Sequence, residues 1–289
     1  MTYEVAKIED YGFKEHKFLK ILWKVLKVVI IVLTIVMLYS SIFMIALQSF
    51  NASKSTTEFT HFTFDWYKQM FSNRLLNQAI KNTFTVSILA TLISTVLGTL
   101  IAIGIFYLPQ KARQKILLLN NIPLLNADIV TGITLMLLFS MVLGIFPYFF
   151  GLPTLLLAHI FFTLPYIILS VIPKLKEMDP NTMDAAQDLG LKPLKSIWKV
   201  IVPAVKSGIF SGLVLAFTIS FEDFAVSYFT TGNGFDNMSI WIYSSIGKRS
   251  LFPGVYAFST LLTLGSMIFV VCKSLINKKD KGSKRKWKK

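Results

Sequence analysis

The chain has 289 residues, 54% hydrophobic and only 16% charged, with a mean hydropathy of +0.60. That balance excludes an ordinary soluble domain, which carries charge at about a quarter of its positions. Cys272 is the single cysteine, so neither an intrachain disulfide nor a cysteine metal cluster can form.

Residues 1–27 are a short basic arm, too small to be a domain. Val28–Leu47 is the first uncharged apolar run of about the 20 residues that cross ~30 Å of hydrocarbon. It outruns the roughly 7–15 residues of a signal-peptide core, and no A-x-A site closes it, so 28–47 is expected to be an uncleaved first transmembrane helix. Residues 48–72 are rich in aromatics (Phe50, Phe59, Phe62, Phe64, Trp66, Tyr67, Phe71) and suit the headgroup level of a membrane. The chain reads as one membrane domain, with further spans expected at Phe84–Leu108, Ile129–Pro147, Leu152–Pro173, Gly208–Tyr228 and Val255–Cys272. Ala90, Ser94, Gly98 and Ala102 recur at intervals of four and give the second span a small-residue face for close helix packing. His159, inside the fourth span, fits a helix–helix hydrogen bond better than a ligand role. Pro165 is expected to kink the same helix. Residues 278–289 form a basic tail suited to anionic lipid.

A net charge of +15 fits nucleic acid or a membrane surface equally well, and its distribution decides. With six spans, 24 of the 30 Lys and Arg fall on one side: the arm, the 111–115 loop, the 174–206 loop and the tail. The positive-inside rule puts that side, and both termini, in the cytoplasm. Nucleic acid loses its main support as a partner, and the bilayer gains it.

The 174–206 loop is the most patterned stretch. Asp179 suits an N-cap and Pro180 the first helical position, so 180–189 is expected to be a helix stopped by Gly190 in the left-handed conformation. Pro193 then opens a second helix in which Leu194, Ile197, Trp198 and Ile201 make an apolar stripe, and Pro203 ends it. The result is a helix–Gly–helix elbow projecting into the cytoplasm.

Three acids break the apolar spans: Asp128, Glu222 and Asp223. A carboxylate near the bilayer centre costs about 2.5–3.5 kcal/mol, so each is a candidate functional group. Asp128 is either an N-cap of the third span or part of a cation path. Glu222 and Asp223, about 100° apart if the helix is continuous, are either a structural pair or helix break near the external end, or path residues, with Phe221, Phe224 and Tyr228 as aromatic walls. No Walker A sequence occurs, so no ATP site is expected on this chain and no cofactor.

In the loop, Asp184, Ala185, Ala186, Gly190, Ile201 and Pro203 stand at the spacing of the EAA signature, and the loop resembles that of the membrane subunits of ABC importers. Asp184 replaces the usual Glu and Val202 the usual Leu. Phe64–Tyr67, Asn126–Val130, His159–Pro165, Asp188–Gly190 and Phe221–Gly232 extend the likeness. Over about 73–277 the chain resembles a type-1 (MetI-like) ABC transmembrane domain, and within that family the C-type permeases of spermidine/putrescine importers. The resemblance implies an all-α polytopic bundle of six transmembrane helices and no enzymatic chemistry. It also implies an elbow seated on a separate ATPase, with a second homologous permease subunit, two ATP-binding subunits and an external polyamine-binding protein as partners. Iron, thiamine and 2-aminophosphonate importers are built alike and remain alternatives for the solute. A self-sufficient secondary transporter or channel is the rival class. It calls for inverted repeats or discontinuous half-helices, and the sequence suggests neither.

Overall fold

The computed structural model describes residues 17–55, 57–143, 150–179, 181–232, 234–246 and 252–268. Pro180, most of the N-terminal arm, the basic tail and the ends of the third and sixth expected spans lie outside these. Every regular element among the described residues is helical. The chain forms two compact units, residues 1–69 with 253–289, and Met70–Phe252.

In the first unit, α1 spans Lys17–Ser49 and presents apolar side chains to the outside along its length, from Ile21 to Leu47. The aromatic segment that follows is held by one buried residue. Asn51 Nδ2 donates to Gln48 Oε1, Ser55 O and Glu58 O at 3.0, 3.4 and 2.8 Å, and Oδ1 accepts from the Ser53 and Thr60 amides. Trp66 Nε1 donates to Asn51 O at 2.6 Å. Around this staple Phe50, Phe62, Phe64 and Tyr67 pack with centroids 4.8–6.1 Å apart, Phe50 and Phe62 stacked and the others edge-on or tilted. Part of the expected loop is helical: α2 is Asp65–Ser72.

The second unit is built on α3 (Arg74–Phe106). Asn73 caps it by accepting the Leu76 amide at 3.0 Å. Then come α4 (Gln110–Leu125), α5 (Asp128–Leu143) and α6 (Leu152–Lys176). The elbow comprises α7 (Thr182–Asp188), α8 (Pro193–Ser196), a π-helical turn Ile197–Ile201 and α9 (Val202–Ala204). It leads to α10 (Lys206–Glu222), α11 (Ala225–Thr230) and α12 (Met238–Ile246). A last apolar helix, α13 (Gly254–Ile268), belongs to the first unit.

The small-residue face of α3 works as its spacing suggests. Ala90, Ser94, Gly98 and Ala102 are buried, Ser94 bonds Thr163 of α6 at 2.7 Å, and a Cβ on Gly98 would meet Ile167 at 2.8 Å. From the other side Gly208 of α10 brings its backbone to α6, where a Cβ would stand 2.7 Å from Ser170 O. Without a hydrophobic driving force in lipid, this close van der Waals contact holds the helices together.

Over the described residues each expected span coincides with an apolar helix or helix pair, but two of them are not simple rods. Ile21–Ser49, Arg74–Phe106 and Leu152–Lys176 are single helices long enough to cross a bilayer. The third span is preceded by α4, a helix where the sequence suggested a basic loop, and α4 and α5 meet at 102°. The fifth expected span breaks at Asp223–Phe224. Discontinuous helices are therefore present, and their expected absence no longer argues against a self-sufficient transporter.

Candidate functional site

The elbow is anchored rather than free. Ile201 and Val205 are fully buried in a cluster with Ala102, Ile105, Ile167, Val171, Leu175 and Ala216 from α3, α6 and α10. Met183 and Ile197 pack against the same cluster. The apolar stripe is thus split: Ile197 and Ile201 turn inward, while Leu194 and Trp198 are 74% and 57% exposed. Among the signature residues, Asp184, Ala185, Gly190 and Pro203 are exposed, and Ala186 and Ile201 are buried. The buried pair holds the elbow in place and does not belong to its outer face. Gly190 has φ +84°; its amide donates to Gln187 O at 2.8 Å and that of Leu191 to Ala186 O at 3.1 Å. That pairing is a Schellman termination, and it needs the left-handed glycine.

Asp179 does not cap α7 as its position suggested. Its Oδ1 takes the amide of Asn181, two residues on, and the helix starts only at Thr182. Pro203 sits within α9 instead of closing the elbow, and the turn before it is π-helical, with the Val202 amide donating to Ile197 O. A proline clashes with the carbonyl four residues back, and a wider turn relieves that clash.

The three acids converge. Asp128, Glu222 and Asp223 line one cavity of about 290 Å³, together with Phe162, Tyr166 and Phe224. The cap expected at Asp128 is absent, whereas the helix break expected at Glu222–Asp223 is present. Asp128 is the first residue of α5 rather than its cap, a place taken by Ala127, whose carbonyl accepts the Thr131 amide. Glu222 and Asp223 do not share a continuous helix: Glu222 ends α10, and Asp223 is extended at ψ 132°. Asp223 caps α11, accepting the Val226 and Ser227 amides at 3.3 and 2.7 Å and the Ser227 hydroxyl at 2.7 Å. Glu222 has no hydrogen bond or ion pair among the described residues and is exposed. Tyr228 lies beside the cavity and not on its wall; it packs on Phe224 and Tyr243 with centroids 5.5 and 5.6 Å away. Phe221 packs instead against Phe84, edge-on, and Phe217, tilted.

His159 is the residue whose part the sequence understated. It is buried on α6, with Nδ1 2.7 Å from Ser220 Oγ and Nε2 2.9 Å from Ser227 Oγ, and Asp223 Oδ2 is 3.8 Å from Nε2. A helix–helix hydrogen bond was expected; a bridge across a helix break was not.

An anchored elbow below a bundle of broken and unbroken spans is the build of an ABC transporter membrane subunit. The chain superposes on a bacterial ABC transporter involved in the import of the acidic polysaccharide alginate with a TM-score of 0.63, covering 89% of this chain and 97% of that one. At 18% identity the likeness is one of fold. The chain belongs to the family of binding-protein-dependent transport system inner membrane components, whose model matches residues 116–279. It is 32% identical to the spermidine/putrescine transport system permease protein PotC of Haemophilus influenzae, over 84% of this chain and 93% of the relative. The PotC protein of Escherichia coli is equally similar, 32% over 85% and 92%, and the putrescine permease PotI of that organism is 29% identical over 82% and 85%. The chain is therefore a membrane permease of an ABC transport system and not an enzyme. Membership in this family, not helix continuity, sets the rival transporter class aside.

Proposed function

We propose that the chain is the permease subunit of an ATP-driven importer of polyamines, spermidine or putrescine, in the cell membrane. The observation that carries the substrate is the cavity. Three acidic and three aromatic residues line it, with no Lys or Arg among its described lining residues. Spaced ammonium groups on a methylene chain match such a lining, carboxylates taking the charge and rings the cation–π contact. Binding there has to stay weak, because a permeating cation must also leave. The three relatives, all polyamine permeases by name, support the same solute.

The elbow offers Leu189, Leu194 and Trp198 as exposed apolar side chains around Asp184 and Ala185, a surface suited to a partner. In this reading it seats on one of two ATP-binding subunits, a second homologous permease completes the path, and an external polyamine-binding protein delivers the solute. Both termini and the elbow face the cytoplasm, as the basic residues require. The test is spermidine uptake by the reconstituted complex, normalised to inserted protein. The double change Glu222→Gln and Asp128→Asn should lower it at least tenfold with ATPase association intact. Undiminished uptake would move the solute to another member of the family.

A further inference from the structure

We infer that His159 is the positioning residue that holds the α10–α11 break, and thereby sets where Glu222 and Asp223 meet the cavity; the functional part of this rests on the cation-path reading above. The break has no covalent cause. From Leu213 to Thr231 the chain contains neither Pro nor Gly, the residues that ordinarily interrupt a helix. Side chains must hold it open, since an unbroken helix would satisfy the same backbone groups by itself.

Those side chains are few. Asp223 takes two amides at the start of α11, and Asn237 Nδ2 donates to the Asp223 carbonyl at 3.3 Å. Among the described residues only His159, from a different helix, grips both sides: Ser220 lies three residues before Asp223 and Ser227 four after it. The direction of the bonds follows from chemistry. The Asp223 carboxylate only accepts, so the Ser227 hydroxyl donates to it and in turn accepts from His159 Nε2–H. Nδ1 is then left to accept the Ser220 hydroxyl proton. The chain Ser220 to His159 to Ser227 to Asp223 runs in one direction, with each donor matched to one acceptor. In a continuous helix Glu222 and Asp223 would point about 100° apart; with the break held, both face one cavity.

A packing role and a bridging role make different demands. Leu fills the site without hydrogen bonds, whereas Gln carries one acceptor and one donor as the imidazole does. In the reconstituted complex, His159→Leu should lower spermidine uptake per inserted protein at least tenfold. His159→Gln should recover it to within about threefold of the unchanged protein, and Ser220→Ala, whose hydroxyl bonds His159, should add nothing on the His159→Leu background. A solute-independent readout uses nitroxide labels on Val214 and Tyr228, both on exposed faces. His159→Leu should shift their distance toward the roughly 21 Å of an unbroken helix, and His159→Gln should not. Equal uptake and equal label distances in the Leu and Gln variants would overturn the positioning role. Loss of the polyamine reading alone would appear as no spermidine uptake by the unchanged complex, with the label distances still deciding the bridge.

Discussion

Replacing Ile201 by Ala separates the two halves of the elbow stripe. The change removes three carbons from a side chain with no exposed surface. At about 0.8 kcal/mol for each buried carbon group the transfer part is roughly 2.4 kcal/mol. The cavity left behind adds to it, because its walls belong to α3, α6 and α10, whose spacing is fixed by glycine contacts that cannot close further. A total of about 3–4 kcal/mol is expected, inside the usual 2–5 for such truncations. Trp198→Ala, at a position 57% exposed, should cost within about 0.5 kcal/mol of fold stability, yet remove the largest exposed apolar group of the elbow. Thermal unfolding of the purified permease, read beside co-purification with the ATP-binding subunit, resolves the pair. Ile201→Ala should lower the melting temperature markedly, and Trp198→Ala should leave it unchanged while weakening co-purification. A melting temperature untouched by Ile201→Ala, or lowered equally by both, would refute the anchor-and-surface division.

Gly190→Val should destabilise the elbow by about 1–2 kcal/mol while Gly190→Asn costs far less, since nothing stands within 4 Å of a new Cβ and only the left-handed φ of +84° is at stake; proteolysis between Asp184 and Lys195 reports the difference. Gly98→Leu should cost about 1–3 kcal/mol or more by forcing α3 from α6 at Ile167, read as the yield and melting temperature of inserted protein. With Cys272 replaced, a cysteine at Lys192 should react only with membrane-permeant reagents and one at Ser55 with impermeant ones.

Much of this was legible in residue spacing. The intervals of four on α3 announced a close helix contact, and Gly190 announced the end of a helix, because both depend on a missing side chain and little else. The apolar runs located the spans for the same reason: length and hydropathy are local. What escaped was decided by distant partners. Gln110–Leu125 carries three basic residues in its first two turns and Pro123 near its end, so composition suggested a loop. The break at Asp223 was one reading of the acidic pair, but it leaves no Pro or Gly signal, and the residue that bridges it, His159, lies 64 positions away in sequence. The convergence of Asp128 with Glu222 and Asp223 likewise depends on how α5 and α10 are placed, which no local pattern encodes. Even the elbow signature mixed two roles, and burial alone distinguishes Ala186 and Ile201 from the residues around them.

The staple at Asn51 makes the aromatic segment sensitive to a change of one atom. The Asn51 amide nitrogen faces three oxygens, Gln48 Oε1, Ser55 O and Glu58 O. Hydrolysis of that amide to the isosteric carboxylate would keep shape and volume but set an anionic oxygen against all three, turning donors into repulsions. Chemical ageing at this single amide is therefore enough to unfasten the loop that carries Phe59, Phe62 and Phe64, with the rest of the chain chemically untouched. Asn51→Asp, the same change made genetically, should loosen this segment first, seen as faster proteolysis between Asn51 and Phe64.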